Sequence, residues 1–294
     1  MKVTDRAVAA LVRVLFRLVR LLGPDRAGAV GAALARRLGP LVKAHRIALD
    51  NIRQAFPELP AAEHDRIVTE AWDNLGRTAA EYVHLDRLWD FDPDSTSPGR
   101  IEIAPEVTAR FRTLQEDGKP ALFFAAHLAN WELPAIAAAR HGLPSAVLYR
   151  TPNNAAVARD IVALREALMG KLIPATIAAP VRMMEALDQG LHVGMLIDQR
   201  FSRGPQVPFM GRLSYSNPLL ARMARRFECP VHGARAIRLP GGRFRLELTE
   251  EIHLPRDARG RVEVDAATAL LNRIVEGWVR EHPGQWLWMH RRWR

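Results

Sequence analysis

Short apolar runs alternate with longer segments of helical spacing along most of this chain. The clearest run is Ala121-Leu-Phe-Phe-Ala-Ala126, too short for a helix and hydrophobic on both faces. That pattern predicts a strand buried on both sides of a parallel sheet. Ala146–Tyr149 and His192–Ile197 read the same way, Ile101–Ile103 is a shorter candidate, and Gly170–Pro174 is a short strand leaving a turn. Helical segments fall between them, over Pro105–Asp117, Ala155–Leu168 and about Val181–Leu187. Strands separated by such helices are the βαβ signature, and the crossovers should be right-handed. Further on, Pro230–Arg238 and Arg243–Leu248 flank Leu239-Pro-Gly-Gly242 as an antiparallel hairpin at one side of the sheet. Ser202–Gly211 reads as a glycine-proline loop, Asn217–Phe227 as a helix, and Val264–Glu281 as a terminal amphipathic helix.

The first part of the chain is helical. Ala27–Leu38 stops at Gly39-Pro40, His45–Phe56 is closed by Pro57, and Ala62–Leu75 continues to about Val83 before a turn-rich loop over Asp90–Gly99. Val8–Leu22 is apolar except for Arg13, Arg17 and Arg20, which share one helix face. A spanning helix needs roughly twenty apolar residues, and this segment is shorter and charged. It predicts an interfacial helix whose three arginines reach anionic lipid; a core-docked amphipathic helix is the other reading. No cleavage region marks a secretory signal. Residues 1–23 are therefore expected to be a membrane-associated helix and residues 24–294 one α/β domain.

Composition narrows the partners. The 294 residues are 48% apolar, ample for one large core, with no repeat and no long linker. The formal charge is +10, and the first fifty residues hold ten Lys or Arg against three Asp. That skew suits an anionic membrane surface or nucleic acid. No zinc-finger spacing, RNA-binding signature or phosphate-loop motif supports nucleic acid. One cysteine, Cys229, allows no intrachain disulfide, and the ten histidines show no metal-binding spacing, so neither a metal nor a cofactor is expected.

Candidate chemistry sits where the first buried strand ends. His127 follows it directly, and Glu132 lies five residues on, near the start of an alanine-rich segment that Asn130 can cap. Five is the wrong offset for neighbours on one helix, so the two meet only if the chain bends between them, as at a strand-to-helix junction. A histidine takes a proton from a hydroxyl when something fixes its tautomer, and a carboxylate on the second ring nitrogen does so. His127 is thus a candidate general base and Glu132 its orienter. Asp198-Gln199 ends the strand His192–Ile197, so a parallel sheet would bring it to the same edge, where Asp198 can orient a positive side chain or the turn.

His127-x4-Glu132 with Asn130-Trp131 between them resembles the motif of the lipid A biosynthesis lauroyl/myristoyl acyltransferases. Other stretches resemble that family in the same order: His45-Arg46-x-Ala-x-x-Asn51 through Pro57, Tyr149-Arg150, Arg165, Asp198-Gln199, Val207-Pro-Phe209-Met210-Gly211, and Gln285-Trp-x-Trp288-x-His290-Arg-Arg-Trp293. Met210 departs from the family's second phenylalanine. The resemblance implies a glycerolipid-acyltransferase-like fold, a mostly parallel sheet flanked by helices behind an N-terminal membrane segment. It also implies an enzyme at the cytoplasmic face of the inner membrane that needs no metal. Such an enzyme moves a fatty acyl chain from acyl carrier protein to a hydroxyl of a lipid A precursor.

On that reading Arg150 and Arg165 clamp phosphate, with an oxyanion role open to Arg165. Phe209, Met210 and Gly211 belong to the acyl pocket or its loop. The tail tryptophans suit either an interface or the core. Transfer to another glycolipid or an aminolipid, and a noncatalytic lipid-binding role, remain open; nucleic-acid binding rests on charge alone.

Overall fold

A computed structural model describes residues 3–95, 99–151 and 155–293 of the chain. Thr96–Pro98 of the expected Asp90–Gly99 loop, and Pro152–Asn154 of the loop after Arg150, lie outside the described residues. The helices α1 (Val3–Leu21), α2 (Pro24–Leu38), α3 (Lys43–Ala55), α4 (Ala61–Glu81) and α5 (Leu85–Leu88) come first. Then follow β1 (Ile101–Ile103), α6 (Pro105–Glu116), β2 (Leu122–Ala125), α7 (Leu133–Arg140), β3 (Ser145–Tyr149), α8 (Ala155–Met169), β4 (Lys171–Pro174), α9 (Ala179–Asp188) and β5 (His192–Leu196). The chain ends through β6 (Gln206–Phe209), β7 (Arg212–Tyr215), α10 (Leu219–Phe227), β8 (Val231–Leu239), β9 (Arg243–Leu248) and α11 (Val264–Glu281).

Seven strands form one mostly parallel sheet in the order β1-β9-β8-β2-β5-β3-β4. From β8 to β4 all neighbours are parallel, so five carboxyl ends share one edge. Only β8 and β9 are antiparallel, as the hairpin signal predicts. Each parallel strand presents alternate residues to two covered faces. On one face Leu122, Phe124, Val193 and Met195 join the main core. There Phe124 stacks on Trp278 of α11 with ring centroids 5.4 Å apart. Full burial of a phenylalanine is worth roughly 1.5–3 kcal/mol, so this contact is a main tie between sheet and helix. On the other face Phe123, Ala125 and Gly194 look onto a cavity under α6 and α7.

The first departure from expectation is Ser202–Gly211. It contains β6, which pairs with β7 as a separate two-stranded ribbon. Val207 and Phe209 are buried while Gln206 and Pro208 are exposed, the alternation of a half-buried strand. Pro208 disguises it, because a proline is tolerated only on such an edge. Met210 and Gly211 turn the hairpin with φ of 53° and 73°, as a two-residue primed turn requires.

The N-terminal helix departs too. Arg20 makes a two-pronged contact with Asp86 at 2.6 Å, and Arg13 reaches Asp160 of α8 at 2.8 Å. Two of the three arginines expected at lipid are therefore held by carboxylates of the same chain, and only Arg17 remains as an exposed candidate. Val14, Leu15, Leu18 and Leu21 are exposed as well, continuing into Val30, Leu34 and Leu38 of α2. Among the described residues no helix is long and apolar enough to cross a membrane. α2 lies close on α4 because Gly31 and Gly76 meet where they cross; a Cβ on either would strike the other's carbonyl oxygen.

Candidate active site

Neighbouring strands β2 and β5 run parallel with Ala125 beside Leu196. Two residues further along each, the same register sets His127 level with Asp198. Asp198 Oδ1 lies 2.8 Å from His127 Nδ1, and Oδ2 accepts from the His127 backbone N–H at 2.8 Å. A third donor, Trp286 Nε1, also reaches Oδ2 at 2.8 Å. Asp198 is completely buried. Burial pushes its carboxyl up, but the charge and hydrogen bonds of His127 outweigh that and hold it below the usual carboxylate range. An ionised carboxylate only accepts, so Nδ1 carries a proton in either charge state, and in the neutral ring Nε2 keeps its lone pair. Nε2 lies 3.3 Å from the Gln199 amide nitrogen at the cavity wall.

The partner of His127 is thus Asp198, which corrects the expected pairing with Glu132. Glu132 stands just before α7, buried, and is ion-paired with Arg165 of α8. The bend carries it away from the strand-end ring toward the neighbouring helix, while Trp131 packs on the imidazole with centroids 5.1 Å apart. Arg165 lies between the rings of Tyr82 and Tyr149, at 5.6 and 6.0 Å from their centroids. Burial opposes its charge, but the Glu132 carboxylate prevails and raises its pKa. The burial of Tyr82 and the same carboxylate push the phenol up. His127, Glu132, Arg150, Arg165 and Gln199 all line one cavity. Arg150 is exposed there, and so is Arg200, which sequence reasoning missed and which stacks over Tyr215.

What fixes the bend is a buried polar cluster. Ala129, the second residue after His127, has φ of 47°, a left-handed conformation that costs an ordinary residue about 1–2 kcal/mol. Its N–H donates to Gln285 O at 3.0 Å, and its carbonyl accepts from Thr78 Oγ1 at 2.9 Å and Asn74 Nδ2 at 3.3 Å. Arg238 of β8 in turn donates to Asn74, Thr78 and the buried Glu81 carboxylate, which also accepts from Asn130 Nδ2 at 3.0 Å. Asn130 thereby serves the cluster; its own Oδ1 accepts from the Glu132 N–H at 3.3 Å, and α7 has no side-chain cap.

The tail is core, not interface. Leu128 bridges to Trp286, and Leu287 N–H donates to His127 O at 3.1 Å. Trp286 and Trp288 are buried against one another with centroids 4.6 Å apart. Arg292 is fully buried among Ser214, Tyr215 O, Ser216 and Asn272, and burial lowers its pKa to about 10. Its neighbour Arg294 lies outside the described residues. Phe209 and Met210 are buried under this tail, Phe209 against Trp286 and Trp293, and neither they nor Gly211 lines the cavity. Of the two expectations for these residues, acyl pocket or loop, the structure has the loop: Met210 and Gly211 turn the hairpin that Phe209 anchors.

The cavity encloses about 950 Å³. It begins at His127 on the carboxyl edge, passes Phe123, Gly194 and Val147 on the sheet, and reaches Phe111 and His141 near the amino ends of the strands. α7 spans that distance, starting after Glu132 and ending at His141. Among the described residues no group of three His, Cys, Asp or Glu side chains is placed to hold a metal. An imidazole that lines an apolar cavity, with one nitrogen pinned to a buried carboxylate, suits an α/β acyltransferase. The family model of the bacterial lipid A biosynthesis acyltransferases matches residues 1–294, and the chain belongs to that family. No curated protein sequence matches it.

Proposed function

We propose that this acyltransferase takes its acyl chain from the thioester of an acyl carrier protein and places it on a hydroxyl of a lipid A precursor. His127 is the general base and Asp198 its orienter. Nε2 takes the proton of the acceptor hydroxyl as that oxygen attacks the thioester carbonyl carbon. The carbon–sulfur bond then breaks, the imidazolium returns its proton to the leaving thiolate, and an ester remains. Asp198 stabilises the imidazolium in between. The donor's hydrocarbon occupies the cavity, gaining roughly 0.8 kcal/mol per buried methylene. Arg150 and Arg200 at the mouth suit phosphate on the carrier or acceptor. Arg165, fixed by its ion pair with Glu132, holds the cavity wall.

The observation that carries this reading is the Asp198–His127 pair in the lining of the cavity. Incubating the protein with acyl carrier proteins of graded chain length and a tetraacylated lipid A precursor, with mass analysis of the product, tests it. His127→Ala, correctly folded, should abolish the ester; near-normal turnover would remove the base.

We further propose that the protein works at the cytoplasmic face of the inner membrane, resting on α1 and α2. The exposed leucines support an interfacial contact made by apolar side chains rather than by the paired arginines. Leu18→Asp with Leu21→Asp should cut sedimentation with anionic vesicles several-fold while melting unchanged. Sedimentation equal to that of the wild type would reject this face.

A further inference from the structure

We propose that Gly194 is the specificity-determining residue of the donor site, kept without a side chain so that the acyl chain can cross the sheet face at that point. This rests on the acyl-transfer reading and assigns its chain-length control to one position. Gly194 occupies the middle of β5, between Phe123 of β2 and Val147 of β3, and all three line the cavity. A glycine inside a strand weakens it through lost packing and greater chain entropy, so its presence there calls for a reason.

The backbone supplies none, because Gly194 is absent from the positions of positive φ. Packing supplies none either: among the described residues, chain neighbours aside, the one atom within 4 Å of an added Cβ is Phe123 Cβ, at 4.0 Å, an ordinary contact. Gly233 of β8 is the contrast. A Cβ there would come within 2.7 Å of Phe124 and 2.8 Å of Trp278, so that glycine is imposed by the core. At Gly194 the space beyond the backbone is the cavity itself. Phe123, its register partner, stands four residues before His127, which sets this row about 13 Å down the strand from the base at about 3.3 Å per residue. A methyl, isopropyl or isobutyl group at 194 would therefore intrude on the distal part of the bound chain and leave the reacting carbonyl untouched.

The test compares wild type with Gly194→Ala, Gly194→Val and Gly194→Leu, using acyl carrier protein donors of graded length and, separately, binding of saturated fatty acids of graded length. The optimum should move to shorter donors in the order Ala, Val, Leu. Turnover of the longest donor the wild type accepts should fall at least about tenfold for Val, equivalent to about two methylenes left unburied. Fatty-acid binding should shift in parallel, and Gly194→Ala should melt at or above the wild type. An unchanged length profile in Val and Leu would overturn the proposal. So would a Gly194→Ala protein that melts well below wild type, since the glycine would then serve the fold. If the wild type transfers from no donor, the acyl-transfer reading fails instead, and the fatty-acid series still decides whether Gly194 opens the lane.

Discussion

Replacing Asp198 by Asn should lower kcat by roughly 10³–10⁴-fold with little loss of fold, the size seen when a buried carboxylate partner of a catalytic histidine is neutralised. Oδ2 receives the His127 backbone N–H and Trp286 Nε1, both donors, so the Asn oxygen must take that place. The amide NH₂ is then left facing Nδ1, which can only respond by accepting. The ring proton moves to Nε2, and the atom that should take the substrate proton already holds one. A nitrogen NMR measurement of the ring tautomer, beside kcat, checks the argument; normal turnover or an unchanged tautomer would end it. Glu132→Gln is the control, expected to cost about 1–3 kcal/mol of stability through its bond to Arg165 while leaving the tautomer alone.

The acid stability of the pair has a definite sign. The Asp198 carboxyl titrates lower in the folded protein than in the unfolded chain. Its contribution is therefore complete above the ordinary carboxylate value of about 3.9 and lost only as pH falls below that toward the folded value. The melting difference between wild type and Asp198→Asn should be flat from neutrality to about pH 4 and shrink below it.

The second large effect is on stability. Arg238→Ala should lower the free energy of unfolding by about 3–5 kcal/mol, because it leaves the Glu81 carboxylate buried without its cation. It also removes the donors to Asn74 and Thr78, the two side chains that hold the Ala129 carbonyl. Denaturant unfolding measures the loss. Arg238→Met with Glu81→Met should recover much of the stability, since a buried pair can often be replaced by apolar groups of similar volume. Activity should not return with it, because the bend carrying His127 would lose its support. A cost below about 1 kcal/mol for Arg238→Ala would show that the cluster does not hold the bend.

Much of the architecture follows from patterns only a few residues long. The run Ala121–Ala126, the strand before Asp198 and the Pro-Gly-Gly hairpin were legible because burial on two faces, or a tight turn, restricts residue type locally. β6 was hidden because Pro208 looks like a loop residue until β7 is seen to leave its edge unpaired. The tail's tryptophans and arginines looked equally fit for a membrane surface, and only the space between β7, α11 and the bend shows that Trp286, Trp288 and Arg292 fill the core.

What the sequence alone determined is an α/β chain with a histidine at the end of a buried strand and a family resemblance that runs past it. Which carboxylate serves that histidine was decided by the fold. Glu132 is five residues away along the chain and Asp198 is 71, yet β5 is the strand laid beside β2, and its register brings Asp198 to the ring. Strand order is set by long-range packing, which no local spacing encodes. For the same reason the cavity, Gly194 within it, and the Arg238–Glu81 contact across 157 residues exist only once the sheet is assembled.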